Sequence, residues 1–204
     1  PGSKVLIQLA RALEVHVEFF LRPKSFSKIE PKFRKRQSLS VKGKDALLAH
    51  VSDWLERYME IEDILSEDEA GLMFEYPPGF PKEVMTFNEI EKAAEDLRRS
   101  WDLGVGPIEN LTDLLEAKGL KVGSMDADGK FDACTFQAEN DVSVTAIVTR
   151  ADMPGDRQRF SIAHELGHLM LRPKGLDDEK AAHRFAAAFL VPEAAVKYEL
   201  RGKR

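Results

Sequence analysis

Three residues within five positions carry the chemistry this chain advertises most clearly: His164, Glu165 and His168, in "RFSIAHELGHLML" from Arg159 to Leu171. On a helix, residues four apart lie one above the other, so His164 and His168 can offer two imidazoles to one ion. Glu165 projects about 100° further round the helix. From there its carboxylate reaches a water on the ion without becoming a ligand. Two ligands plus a general base is the logic of H-E-x-x-H hydrolases. The alternative is an amphipathic core helix that happens to contain histidines. Apolar Phe160, Ile162, Leu166, Leu169 and Met170 flank the motif, as either reading requires.

A catalytic zinc takes three protein ligands and keeps one position for water. No G-x-x-H follows His168, which excludes the metzincin arrangement. The remaining candidates are Asp177, Asp178, Glu179 and His183 on the next expected helix, "DDEKAAHRFAAAFLV". Asp177 and Asp178 look like helix caps. Glu179 lies one turn in and is the preferred third ligand. His183, four residues on, would then support a ligand through a hydrogen bond. The reverse assignment, His183 as ligand and Glu179 as its orienting partner, stays open. The ion is expected to be zinc, although His and Glu donors also suit manganese or another divalent metal. Tyr76, Arg150, Arg157 and Tyr198 are candidates for stabilising an oxyanion.

These residues need a scaffold, and the chain supplies an α+β one. "SKVLIQLARALEV" (Ser3 to Val15) has helical spacing, with Ser3 a possible N-cap. From Arg22 to Lys44 there are nine basic residues and one acid, Glu30, in a Pro-containing stretch. It reads as an extended linker or edge strand around "KIEPKFRKR", either solvated or able to meet phosphates. Ser40 to Leu65 carries one apolar stripe, Leu47, Leu48, Val51, Trp54, Leu55, Tyr58, Ile61 and Leu65. "SEDEAG" and "EYPPGFPKE" read as loops, with a domain boundary between Tyr76 and Lys82.

Thr86 and Glu89 form a capping-box pattern ahead of a helix ending near Gly104, and Ile108 to Gly119 is a second helix. "LKVGSMD", "FDACTFQAE" and "VSVTAIVTR" read as strands, with "ENDV" as the turn between the last two. Helices then return, the first with Asp156 as N-cap. The last runs from Glu193 to Leu200 after Pro192. The expected division is 1–23, a helical unit; 24–80, a basic linker and long connecting helix; and 81–204, the domain with the metal motif.

Composition narrows the setting. Of 204 residues, 43% are hydrophobic and 32% charged, with net charge −5, which is a globular rather than a disordered composition. No apolar run is long enough to span a bilayer, so no membrane partner is expected. The single cysteine, Cys134, cannot form an intrachain disulfide and reads as a small buried hydrophobe. That fits a reducing compartment, and a cytoplasmic location is expected.

"GDRQRFSIAHELGHLML" and "DDEKAAHRFAAAFLVPE" resemble the ImmA/IrrE family of gluzincin-like metallopeptidases, from about Thr86 to Glu193. The first segment follows the family's R-x-R-F-x-x-A-H-E-x-G-H. In the second, Glu179 falls on the glutamate that the resemblance implies is the zinc ligand. Ala181 replaces a usual glutamate there, and His183 stands where asparagine is common. "LIQLARALEV" is similar to the last helices of an XRE/Cro-type helix-turn-helix domain. The resemblance implies that the segments holding a recognition helix lie outside this chain. The resemblances imply a zincin-like fold and a zinc endopeptidase acting on a regulatory protein such as a repressor. They also imply a full-length protein that binds DNA and takes part in transcriptional or stress regulation, and such proteins often pair as homodimers. A regulator whose zincin domain senses a metal or partner without turnover is the alternative.

Overall fold

The computed structural model describes residues 2–21, 26, 28–31, 39–65, 72–127, 131–139 and 143–201. The architecture is α+β, with a four-stranded mixed sheet between helical layers. In chain order the elements begin with α1 (Ser3–Ala12), a short 3-10 helix (Val17–Phe20), β1 (Lys28–Pro31) and α2 (Val41–Leu65). Next come β2 (Lys82–Val84), α3 (Phe87–Ser100), α4 (Leu111–Glu116), β3 (Lys121–Met125), β4 (Ala133–Glu139) and β5 (Ser143–Arg150). The chain continues through α5 (Gly155–Met170), β6 (Leu171–Pro173), α6 (Asp178–Leu190) and α7 (Glu193–Arg201).

The sheet order is β1-β4-β5-β3. β4 and β5 are antiparallel, with Thr135 opposite Ile147, while β3 runs parallel to β5. Alternation along the strands splits the core in two. Cys134, Phe136, Ala138, Val144, Ala146 and Val148 face α2, where Leu47, Val51 and Leu55 cover them. Ile147 faces the other way, into the cluster built by α3, α5 and α6 around Ile90, Leu97, Leu166, Phe185 and Phe189. β5 is therefore buried on both faces, which accounts for its nearly unbroken run of small and β-branched residues. Cys134 is buried with its sulfur against the Thr135 carbonyl, as a small hydrophobe should be.

The segment expected as linker and connecting helix is packed against this sheet. β1 pairs antiparallel with β4, from Lys28 opposite Glu139 to Pro31 opposite Phe136. It is an edge strand, the position a Pro-containing strand tolerates. α2 is tied down at its far end by Lys121 of β3, whose buried ammonium reaches Glu62 at 2.5 Å and the Leu72 carbonyl at 3.0 Å. Six of the eight residues of the expected stripe are at least partly covered, while Ile61 and Leu65 are exposed. Arg22, Lys24, Lys32, Arg34, Lys35 and Arg36 of the basic run lie outside the described residues, as do "SEDEAG" and most of the "ENDV" turn.

Several boundaries differ from expectation. α1 stops at Ala12, and Glu14 takes a left-handed φ of 55°. Its cap is Gly2 rather than Ser3. Thr86 caps α3 as expected, accepting from the Glu89 N–H at 3.3 Å, but that helix ends at Ser100, before a turn with Asp102 at φ 55°. Asn110 caps a shorter α4. Asp156 is not the cap of α5: the helix follows Pro154 directly, so Asp156 already sits in the first turn. Its carboxylate still accepts from the Arg157 N–H there, a favourable place for negative charge. The two-stranded parallel pair β2–β6 was not expected, because three-residue strands show no period.

Candidate metal centre

α5 is fixed at both ends before it presents any ligand. At its start the Gln158 amide donates to the carbonyls of Arg150, Ala151 and Met153, clamping the corner after β5. Arg159 donates to the Ile108 and Glu109 carbonyls. At its end the Arg172 guanidinium donates to the carbonyls of Leu169 (3.3 Å) and Leu171 (2.8 Å), groups that a helix C-terminus leaves without helical partners. Between these anchors Gly167 lies directly on α6. A Cβ there would stand 3.1 Å from the Phe185 ring and 3.2 Å from the Ala182 backbone.

That contact sets the distance between the two helices that carry the site. His164 Nε2 and His168 Nε2 are 3.0 Å apart, with the rings perpendicular. Glu179 enters from the first turn of α6, which starts at its cap Asp177. Its Oε2 is 3.4 Å from His164 Nε2 and its Oε1 is 3.5 Å from His168 Nε2. Nitrogen and oxygen ligands held about 2.0–2.1 Å from a tetrahedral ion lie about 3.3–3.4 Å from one another. The two Nε2 atoms, 3.0 Å apart, face the Glu179 carboxylate with one oxygen 3.4 Å from His164 and the other 3.5 Å from His168, separations that suit three side chains gathered round a single ion of zinc's size. The donor set, two imidazoles and one carboxylate, is one that zinc accepts.

Glu165 stands beside the triangle. His164, Glu165 and His168 each place a ligand-type atom within 4.8 Å of the others. Glu165 is only 6% exposed, so its carboxylate is held by the protein rather than by bulk water. Thr135 Oγ1 donates to its Oε2 at 2.8 Å. Thr135 is on the face of β4 opposite Cys134 and Phe136, which turns it toward α5. The sequence reading missed this residue. The alternation of β4 could have put Thr135 on the α5 side, but nothing local says which helix turn it meets.

His183 is placed otherwise than expected. It is exposed, and its ring lies tilted against Phe160 at 4.8 Å. Among the described residues it makes no hydrogen bond to His164, His168 or Glu179. One turn beyond Glu179 on α6, His183 meets Phe160, one turn before His164 on α5. Glu179, and not His183, is the residue that stands across from the two histidines.

The four arginine and tyrosine candidates for an oxyanion contact are scattered. Arg150 pairs with Asp152 and Arg157 with Asp132. Tyr76 rests edge-on against Phe74, and Tyr198 is exposed on α7. A cavity of about 260 Å³ adjoins His168, lined also by Gly167, Arg172, Lys174, Asp178 and Ala182.

No helix among the described residues is long and apolar enough to cross a membrane. No curated protein and no solved structure matches the chain. Residues 120–204, which hold β3 to α7 and every residue of the candidate centre, match the family model Peptidase M78, described as the IrrE N-terminal-like domain, and this supports the ImmA/IrrE resemblance over that part of the chain.

Proposed function

We propose that this chain is a zinc-dependent endopeptidase in which His164, His168 and Glu179 hold the ion and Glu165 is the general base. The single observation that carries the reading is the ligand triangle with a buried, anchored carboxylate beside it. A site built only to hold a structural ion has no use for a fourth, non-liganding acid in that position.

When bound, a divalent ion at these three side chains lowers the pKa of water to about 7 and polarises the peptide carbonyl. Glu165 accepts the proton as the water attacks, then returns it to the departing amine. Its burial excludes competing solvent, and its bond to Thr135 fixes the direction from which the carboxylate works. His164 and His168 are held in place by the anchored ends of α5, and Glu179 by the Asp177 cap, which accepts from the Lys180 N–H at 2.9 Å.

The substrate we propose is a regulatory protein such as a transcriptional repressor, met in the cytoplasm. Support comes from the helix-turn-helix likeness of "LIQLARALEV", through which the full-length protein would bind DNA, as a dimer. In the proposed division, 1–23 belongs to that unit, 24–80 joins it to the peptidase while adding β1 and α2 to the sheet, and 81–204 carries the metal centre. Zinc-loaded protein and its Glu165→Gln variant are compared on a random library of quenched-fluorescence peptides and on candidate repressors. Cleavage by the parent and none by the variant is expected. Equal rates for both, or no cleavage by zinc-loaded parent, would overturn the assignment.

A further inference from the structure

We infer that Thr135 is a positioning residue for the peptidase reaction: its hydroxyl fixes the Glu165 carboxylate in the orientation from which it takes the proton. The inference rests on the catalytic reading of Glu165 given above.

Four observations carry it. Thr135 is 1% exposed and Glu165 6% exposed, so water does not share their contact. The hydroxyl lies 2.8 Å from Glu165 Oε2, an ordinary O–H···O hydrogen-bond distance. The two residues are 30 positions apart and stand on different elements, so local chain geometry does not impose the contact. Thr135 is also the stiffer partner. It is β-branched, which restricts χ1, and it sits mid-strand with neighbours on both sides, opposite Ile147 of β5 and next to Phe136, which pairs with Pro31 of β1.

A glutamate side chain has three rotatable bonds, and α5 alone fixes only its Cα. A second anchor on the sheet removes most of the remaining freedom. The carboxylate then keeps one orientation beside His164 and His168 before substrate arrives, which is the condition for a base that loses no time to reorientation. A hydroxyl is suited to this role. It donates one proton and adds no charge of its own.

The test uses the full chain loaded with zinc. Thr135→Val keeps the shape and removes the donor, and Thr135→Ser keeps the donor and removes the methyl. On the peptide library, Thr135→Val is expected to lose about 10- to 100-fold in kcat, the size of a lost hydrogen bond to a charged group, with KM and zinc content unchanged. Thr135→Ser is expected to recover most of that loss. A second readout does not need turnover. In protein labelled with ¹³C at the glutamate carboxyls, the Glu165 signal, identified by its loss in Glu165→Gln, should shift in Thr135→Val and return in Thr135→Ser. Full activity in Thr135→Val, a serine variant as impaired as the valine one, or an unmoved Glu165 signal would each overturn the inference. Failure of the catalytic reading has a different mark: the parent protein itself would not cleave, while the carboxyl signal would still report whether Thr135 holds Glu165.

Discussion

Gly167→Ala tests whether the spacing of α5 and α6 sets the geometry of the metal ligands. Gly167 stands between the two histidines in sequence and faces α6. The added methyl carbon would be 3.1 Å from Phe185 Cδ1 and 3.2 Å from both the Cα and the carbonyl oxygen of Ala182. Carbon atoms rest at about 3.5–4.0 Å from each other, so the helices must separate by several tenths of an ångström. Phe185 can turn slightly, but Ala182 is backbone and moves only with α6. Overpacking of this kind costs about 1–3 kcal/mol. Replacing glycine by alanine inside a helix returns about 1 kcal/mol. The net is a destabilisation of about 0–2 kcal/mol, which for a chain of this size lowers Tm by up to about 4–8 °C. The more informative effect is on the ligands. Glu179 rides on α6 at 3.4 and 3.5 Å from the histidine nitrogens, and a shift of that size spoils a site whose bonds tolerate only about ±0.2 Å. We expect zinc affinity, measured by competition with a chelating dye, to fall about 10-fold or more, as for disturbed support of a ligand. A higher Tm with unchanged zinc affinity would show that helix spacing does not govern the site.

The remaining predictions concern the scaffold. Lys121→Met leaves Glu62 without its buried cation and the Leu72 carbonyl without its donor, so chemical denaturation should show a loss of about 3 kcal/mol. Stability equal to the parent would mean that α2 is not secured by this pair. Lys82 donates to Asp96 and, with Arg99 adding to it, holds that carboxyl below its ordinary 3.8. A depressed folded-state pKa stabilises the fold above the unfolded value and loses its effect as pH falls through the folded one. Lys82→Met should therefore cost about 1 kcal/mol at pH 7, and the gap to the parent should close below pH 3.8. A gap that is the same at pH 3 and pH 7 would refute this.

The half of the site on one helix was legible in the sequence, because four-residue spacing translates into a shared face wherever a helix forms. Glu179 was legible for a related reason: it lies one turn inside a helix whose cap, Asp177, is visible in the sequence. His183 was misplaced because the same spacing rule says nothing about which way the second helix runs past the first. The packing of α6 on α5 sets it against Phe160. Thr135 was out of reach, since its partner is 30 residues away and on another kind of element. The strands β3, β4 and β5 showed through their alternation and β-branched residues. β2 and β6, at three residues each, did not, and neither did the burial of α2 against the sheet. That depends on which face of the β4–β5 pair, the one bearing Phe136 and Val148, the chain covers once the strands are paired.

The most direct measurement of the central claim is a crystal structure of the zinc-soaked protein, with anomalous data at the zinc edge. The account predicts one ion bonded to His164 Nε2, His168 Nε2 and a Glu179 oxygen at about 2.0–2.2 Å, with Glu165 outside the coordination shell and still bonded to Thr135. An ion at another place, or one that takes Glu165 rather than Glu179 as its third ligand, would contradict it.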